Sequence, residues 1–93
     1  MDFSEALRHV KAGKKVARQG WNGKGMFIYL QEGSRVDTEN LRCAAIKDYC
    51  TTRVIQHVKI NPHIDMKAAD GSVVIGWLAS QTDMLAEDWV LVE

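Results

Sequence analysis

This sequence has little that could crosslink or stiffen a chain. Its 93 residues contain one proline, Pro62, and two cysteines, Cys43 and Cys50. Two cysteines are too few for a disulfide framework, and both are expected to be small, reduced core residues. No C-x-x-C or H-x-x-x-H spacing occurs, and His9, His57 and His63 are scattered, so no metal site is expected. No G-x-S-x-G elbow is present to activate a serine. Net charge is also missing: 12 Lys+Arg balance 12 Asp+Glu, which argues against a protein that lives on polymeric nucleic-acid phosphate. The longest nearly apolar run, Val73 to Ala79, is far short of a membrane span. The first residues, Met1-Asp2-Phe3-Ser4-Glu5, lack the basic and apolar regions of a signal peptide, so a cytoplasmic setting is expected. There is no internal repeat, low-complexity tract or linker.

What remains is ordinary for one small folded unit. Hydrophobic residues make up 46% and charged residues 26%. A chain of this size buries roughly 64% of its unfolded surface, enough for a small core. We expect a single domain over 1–93. The charge is neutral in sum but polarised along the chain. Residues 1–25 carry six basic and two acidic groups (+4), 26–60 five and four (+1), and 61–93 one and six (−5). The two ends can therefore attract each other, within one chain or between two.

The periodicity indicates an α+β fold. Phe3, Ala6, Leu7 and Val10 share one helical face, with Asp2 and Glu5 as a capping pair and Gly13 at the C-terminal end. Lys15–Arg18 and Met26–Leu30 read as strands around a glycine loop, so a helix is followed by a β-hairpin. Leu41, Ala44, Ala45, Asp48 and Tyr49 predict a middle helix opened by Asp37 or Thr38, with Cys43 and Cys50 on one face. Arg53–Ile60 is expected as a strand. His63–Ala68 and Val73–Ile75 flank a turn at Ala69-Asp70-Gly71-Ser72. Ser80 and Asp83 predict a capped helix over Gln81–Glu87, and Trp89–Val92 a final strand.

Gly20-Trp21-Asn22-Gly23-Lys24-Gly25 places three glycines in six residues. Such a loop lets backbone N–H groups approach a ligand, or simply supplies positive φ at a turn. It matches neither a P-loop nor a dinucleotide fingerprint. Trp21 in that loop is either a stacking surface, with Lys24 beside it for phosphate, or a lid folded over the core. Trp77 and Trp89 border apolar stretches and are expected in the core. Asp83 and Glu87, four apart, would share a helix face. There they could act as acid and base, bind ribose hydroxyls or be solvated.

Two stretches also carry a resemblance. Phe3 to Phe27, centred on Gly20-Trp21-Asn22-Gly23-Lys24-Gly25-Met26-Phe27, is the first. The second is His63 to Trp89, with Met66-Lys67-Ala68-Ala69-Asp70-Gly71 and Gly76-Trp77-Leu78-Ala79-Ser80-Gln81-Thr82-Asp83-Met84-Leu85-Ala86-Glu87-Asp88-Trp89. Together they span 52 of the 93 residues. They resemble the second type of Thoeris anti-defence protein, a phage and prophage family. The resemblance implies a non-catalytic sponge that needs no cofactor. Such a protein binds a cyclic nucleotide immune signal of the glycocyclic ADP-ribose type and withholds it from the host's effector. It also implies a homotetramer or homodimer with pockets between protomers. By the same resemblance Trp21, Asn22, Gly23, Lys24, Gly25 and Met26 would form one wall, with Trp21 on adenine and the glycine backbone near pyrophosphate. Thr82, Asp83, Glu87 and Trp89 would add polar contacts. Ser34 to Ile60 matches no pattern of the family, and Glu87 stands where some relatives carry asparagine. A sponge for cyclic oligonucleotides, a protein-interaction module gripping through Trp21 and Trp77, and a small hydrolase using Asp83 and Glu87 are the competing readings.

Overall fold

The computed structural model describes residues 1–93. Its elements are α1 (Phe3–Lys11), β1 (Lys15–Arg18), β2 (Phe27–Gln31), β3 (Ser34–Asp37), α2 (Ala44–Thr52), β4 (His57–Ile60), β5 (His63–Lys67), β6 (Val73–Val74), α3 (Gln81–Leu85) and β7 (Trp89–Val92). All strand pairs are antiparallel, so the α+β class with antiparallel pairing and three helices is borne out. The chain divides into two compact units. One comprises residues 1–31 and 63–93, the other residues 32–62.

The first unit is a five-stranded sheet in the order β6-β5-β2-β1-β7, with α1 packed on β1, β2 and β7. The Asp2 carboxylate accepts the Glu5 N–H at 2.8 Å and starts α1. Gly13, at φ +88°, ends it, with its N–H on the Val10 carbonyl. Ala6 and Val10 from α1, Val16 from β1, Ile28 from β2 and Trp89 from β7 form the buried core. The expected β1–β2 hairpin is present, but it pairs through Val16 and Ile28 alone. The longer ladder joins β1 to β7, from Lys15 opposite Val92 to Arg18 opposite Trp89. Both ends of the sequence thus meet in one sheet.

Helix α3 is shorter than expected. It opens on a full capping box between Ser80 and Asp83. It stops at Leu85 because the Asp83 carbonyl, which would receive the Glu87 N–H in a longer helix, accepts the Ala86 N–H at 3.4 Å and the Trp89 indole N–H at 3.0 Å. Asp83 and Glu87 therefore do not share a helix face.

The second unit pairs β3 with β4 and carries α2. Strand β3 has no counterpart among the expected elements, being four largely exposed residues, Ser-Arg-Val-Asp. Neither Asp37 nor Thr38 opens the middle helix. The Thr38 N–H donates to the Gln56 carbonyl and its hydroxyl to the Ile55 carbonyl, so Thr38 ties down the approach to β4 instead of capping. A single 3-10 turn, Thr38–Asn40, comes first, and α2 starts after Cys43. Cys43 is consequently an exposed extended N-cap and only Cys50 is buried, which corrects the expectation of two core cysteines on one face.

The strand expected from Arg53 is confined to His57–Ile60, because Val54 and Ile55 turn back onto the Thr51 and Cys50 carbonyls. Val54 sits in that turn at φ +56° with 84% of its surface exposed. A β-branched side chain in the left-handed region is strained, and this one gains no burial in return. Val54→Gly should therefore stabilise the chain by roughly 0.5–1 kcal/mol. Slower amide exchange over residues 44–60 would register the gain, and unchanged exchange would remove the strain argument.

Candidate functional site

The glycine loop and the chain from Ser80 to Trp89 come together through one cation. Arg18, at the end of β1, donates Nε to Asp88 Oδ1 and a terminal guanidinium nitrogen to Asp83 Oδ1, both at 2.9 Å. Its side chain is 15% exposed and that of Asp83 13%. Asp83 Oδ1 also accepts the Trp21 indole N–H at 3.1 Å. Asp88 Oδ2 accepts the Gly20 N–H at 2.7 Å. The attraction between the basic and acidic ends of the sequence is thus realised within one chain, as a clasp that fixes the mouth of the loop.

Each loop glycine has a local reason. A Cβ on Gly20 would stand 2.7 Å from the Asp88 carboxylate, and one on Gly23 would meet Met26 Sδ and Ala69 Cβ. Gly25 has φ +74°. The Gly20 amide is spent on the protein's own carboxylate rather than offered to a ligand. Asn22, Lys24 and Gly25 are exposed, and Gly23 and Met26 half-buried. Trp21 folds back onto the core, with its ring edge-on to Trp89 at 5.3 Å and to Trp77 at 6.5 Å. It is half-buried and keeps part of its surface open. Trp89 is 1% exposed and its only polar atom is bonded to Asp83, so within this chain it is a core residue. Thr82 and Glu87, next in sequence to Asp83 and Asp88, are exposed.

The clasp sets the charge state of its members. Donation to Asp88 and then to Asp83 raises the Arg18 pKa. Burial would raise the Asp83 pKa, but donors from Arg18, Trp21 and Ser80 override it and leave it below the ordinary value. The Asp88 pKa is lowered by Arg18 first and by the Gly20 N–H as well. Asp83 is thus held ionised by three donors, which makes it a poor general acid.

A depressed folded pKa contributes stability that is full above the unfolded value, near 3.9, and is lost as pH falls through the folded one. Asp83 and Asp88 share this sign, and so does Asp70, which accepts from Ser72. The urea midpoint should hold at neutral pH and fall steeply below about pH 4. Asp83→Asn should flatten that fall, and an unchanged acid limb would refute the clasp's share in it.

A second feature of the same unit escaped the sequence. Phe27 on β2 lies between two ammonium groups, Lys15 Nζ at 5.5 Å and Lys67 Nζ at 5.6 Å from the ring centroid. Tyr29, two residues on, adds a tilted ring 5.9 Å away. These four residues help line a cavity of about 390 Å³ with no carboxylate in its wall. Lys67 Nζ donates to the Gly25 carbonyl at 2.7 Å, which joins the cavity to the end of the glycine loop. The alternation Phe27-Ile28-Tyr29 puts both rings on one face, and only the register that sets Phe27 opposite Lys67 brings the cations to them. Asp65, also unmarked by any motif, is fully buried, and its carboxylate accepts the Gly76 N–H at 2.9 Å and the Gln31 side-chain amide at 3.3 Å.

Residues 1–92 match the model of the Thoeris anti-defense 2-like domain. The chain is 37% identical over 92 residues to "Thoeris anti-defense 2" of Bacillus phage SP01, across 99% of this chain and 94% of that protein. The match runs through the loop, the clasp and the segment from Ser34 to Ile60 alike, and the chain belongs to the Thoeris anti-defense 2-like family.

Proposed function

We propose that this protein blocks Thoeris anti-phage defence by binding a cyclic nucleotide signal of the glycocyclic ADP-ribose type and holding it intact. The observation that carries the reading is the Phe27 ring set between Lys15 and Lys67 and tied to Gly25 of the glycine loop. The two ammonium groups held at the Phe27 ring offer charge to a pyrophosphate, and the Tyr29 ring in the same cavity offers stacking to a base. Asn22, Lys24, Thr82 and Glu87 are free to add polar contacts, while Trp21 contributes the open part of its ring. Glu87 would repel phosphate and is placed to meet ribose hydroxyls. Asp83 and Asp88 act by holding the loop.

The protein works as a homotetramer or homodimer on this reading. Ile75, Leu78 and Leu85 are 66%, 90% and 79% exposed, apolar side chains that association would cover. No helix is long and apolar enough to cross a membrane, in keeping with a protein acting in the host cytoplasm. A sponge needs slow release and no chemistry, which suits a site where Asp83 and Asp88 are held ionised by Arg18.

Calorimetric titration with glycocyclic ADP-ribose tests this, followed by heat denaturation and chromatography of what is released. Tight binding and intact ligand are expected, with Lys67→Gln weakening binding about tenfold through loss of one charge-assisted contact. Absence of binding, or release of a cleaved product, would overturn the sponge.

A further inference from the structure

The unit formed by residues 32–62 carries a cluster that the sponge reading does not use. Strand β3 sets Arg35 directly opposite Lys59 of β4, and Asp37 opposite His57. Directly opposed residues share a sheet face, as do residues two apart, so Arg35, Asp37, His57 and Lys59 lie together. Like charges directly opposite each other on a two-stranded sheet are destabilising. Neither Arg35 nor Lys59 has an ion-pair partner in the chain.

Arg35 Nη2 donates to His57 Nδ1 at 3.0 Å. A guanidinium can only donate, so Nδ1 accepts and the ring's hydrogen resides on Nε2. The face thus presents a guanidinium, an ammonium and an imidazole N–H. All three line a cavity of about 660 Å³, together with Gly33, Ile60 and Pro62. A Cβ on Gly33 would stand 2.6 Å from the Ile60 carbonyl oxygen and 3.0 Å from Pro62, so this end of the strand pair closes only around glycine. Asp37, the one carboxylate on the face, is not part of the cavity wall.

We infer that Arg35, His57 and Lys59 form a binding site for a phosphoryl oxyanion, separate from the Phe27 cavity. The anion neutralises the Arg35–Lys59 repulsion. The guanidinium provides two parallel donors for its oxygens, and the other two groups provide one each.

The test is titration of the full chain with sodium pyrophosphate, followed by amide chemical shifts, with sodium chloride at matched ionic strength as control. Saturable shifts are expected at Arg35, His57 and Lys59. Arg35→Gln and Lys59→Gln should each weaken binding about tenfold. In plain buffer Lys59→Gln should melt no lower than the parent, since it removes a repulsion; made in the Lys15→Gln/Lys67→Gln background, it should shrink the rise in melting temperature that pyrophosphate gives. Lys15→Gln with Lys67→Gln removes the ammonium groups that could hold the same probe at the Phe27 cavity, and the saturable shifts at Arg35, His57 and Lys59 should persist in that double variant. ADP in place of pyrophosphate separates the sources of the phosphate. Equal affinity indicates a free oxyanion, and tighter binding indicates the phosphate of a nucleotide. Shifts reproduced by chloride, unaffected by Arg35→Gln and Lys59→Gln, or abolished by the Lys15/Lys67 pair of changes would overturn the site.

Discussion

Replacing Trp89 with alanine will cost about 3–5 kcal/mol and leave little native protein at 37 °C. Trp89 is the largest fully buried side chain. Its ring centroid lies 5.4 Å from Phe3, 5.3 Å from Trp21 and 6.2 Å from Trp77. Removing it opens a cavity that α1 cannot close, because Ala6 and Val10 have no length to spare. It also takes the support from under Trp21, so the glycine loop loosens with the core. Trp89→Phe should recover part of the loss. It fills most of the volume but leaves the Asp83 carbonyl without the indole N–H. Urea denaturation followed by circular dichroism measures both variants. If Trp89→Ala has a midpoint within error of the parent, the core is wrongly placed.

Asp83→Ala will cost about 2–3 kcal/mol, the second largest effect expected of one substitution. Its carboxylate accepts from Arg18, the Trp21 indole and the Ser80 backbone N–H. Truncation leaves a half-buried indole N–H unpaired, Arg18 with Asp88 alone, and α3 without half of its capping box. A melting temperature lower by roughly 10 °C follows for a chain of this size. Asp83→Asn keeps the shape and one acceptor oxygen and should fall between the two. The loop from Gly20 to Gly25 should gain fast amide exchange in Asp83→Ala. Unchanged exchange there would show that the clasp does not hold the loop.

Much of the outline is legible in the residues because it is written in local rules. Helix α1 follows from apolar spacing, Asp2 and Gly13. The start of α3 follows from Ser80 and Asp83, β2 and β7 from short apolar runs, and β5 from the alternation of His63-Ile64-Asp65-Met66-Lys67 before a turn. Where a competing contact decides, local rules fail. A helix through Glu87 is sound by pattern, but the Trp89 indole takes the carbonyl it needs. Thr38 is a sound N-cap by type, but its hydroxyl is drawn to Ile55. Strand β3 carries no apolar alternation, because a two-stranded pair of exposed residues requires none.

The candidate site divides in the same way. A glycine–tryptophan loop with a polar helix near the end of the chain is visible in one dimension, and so is the opposite charge of the two ends. Which way Trp21 turns is not, since an aromatic between glycines can swing outward or inward. The partner that draws it in, Asp83, lies 62 residues away. Lysines at 15 and 67 are unremarkable until the register of β2 against β5 sets Lys67 opposite Phe27. Composition and spacing alone therefore determine that this is a small α+β chain with no metal-ligand or nucleophile signature and a loop built on three glycines. The tertiary structure decides which of its polar groups are spent on one another and which are left to a ligand. Each oxygen accepts about two hydrogen bonds, and Asp83 Oδ1 has both supplied from Arg18 and Trp21, more than 60 residues away in sequence, which no local pattern records.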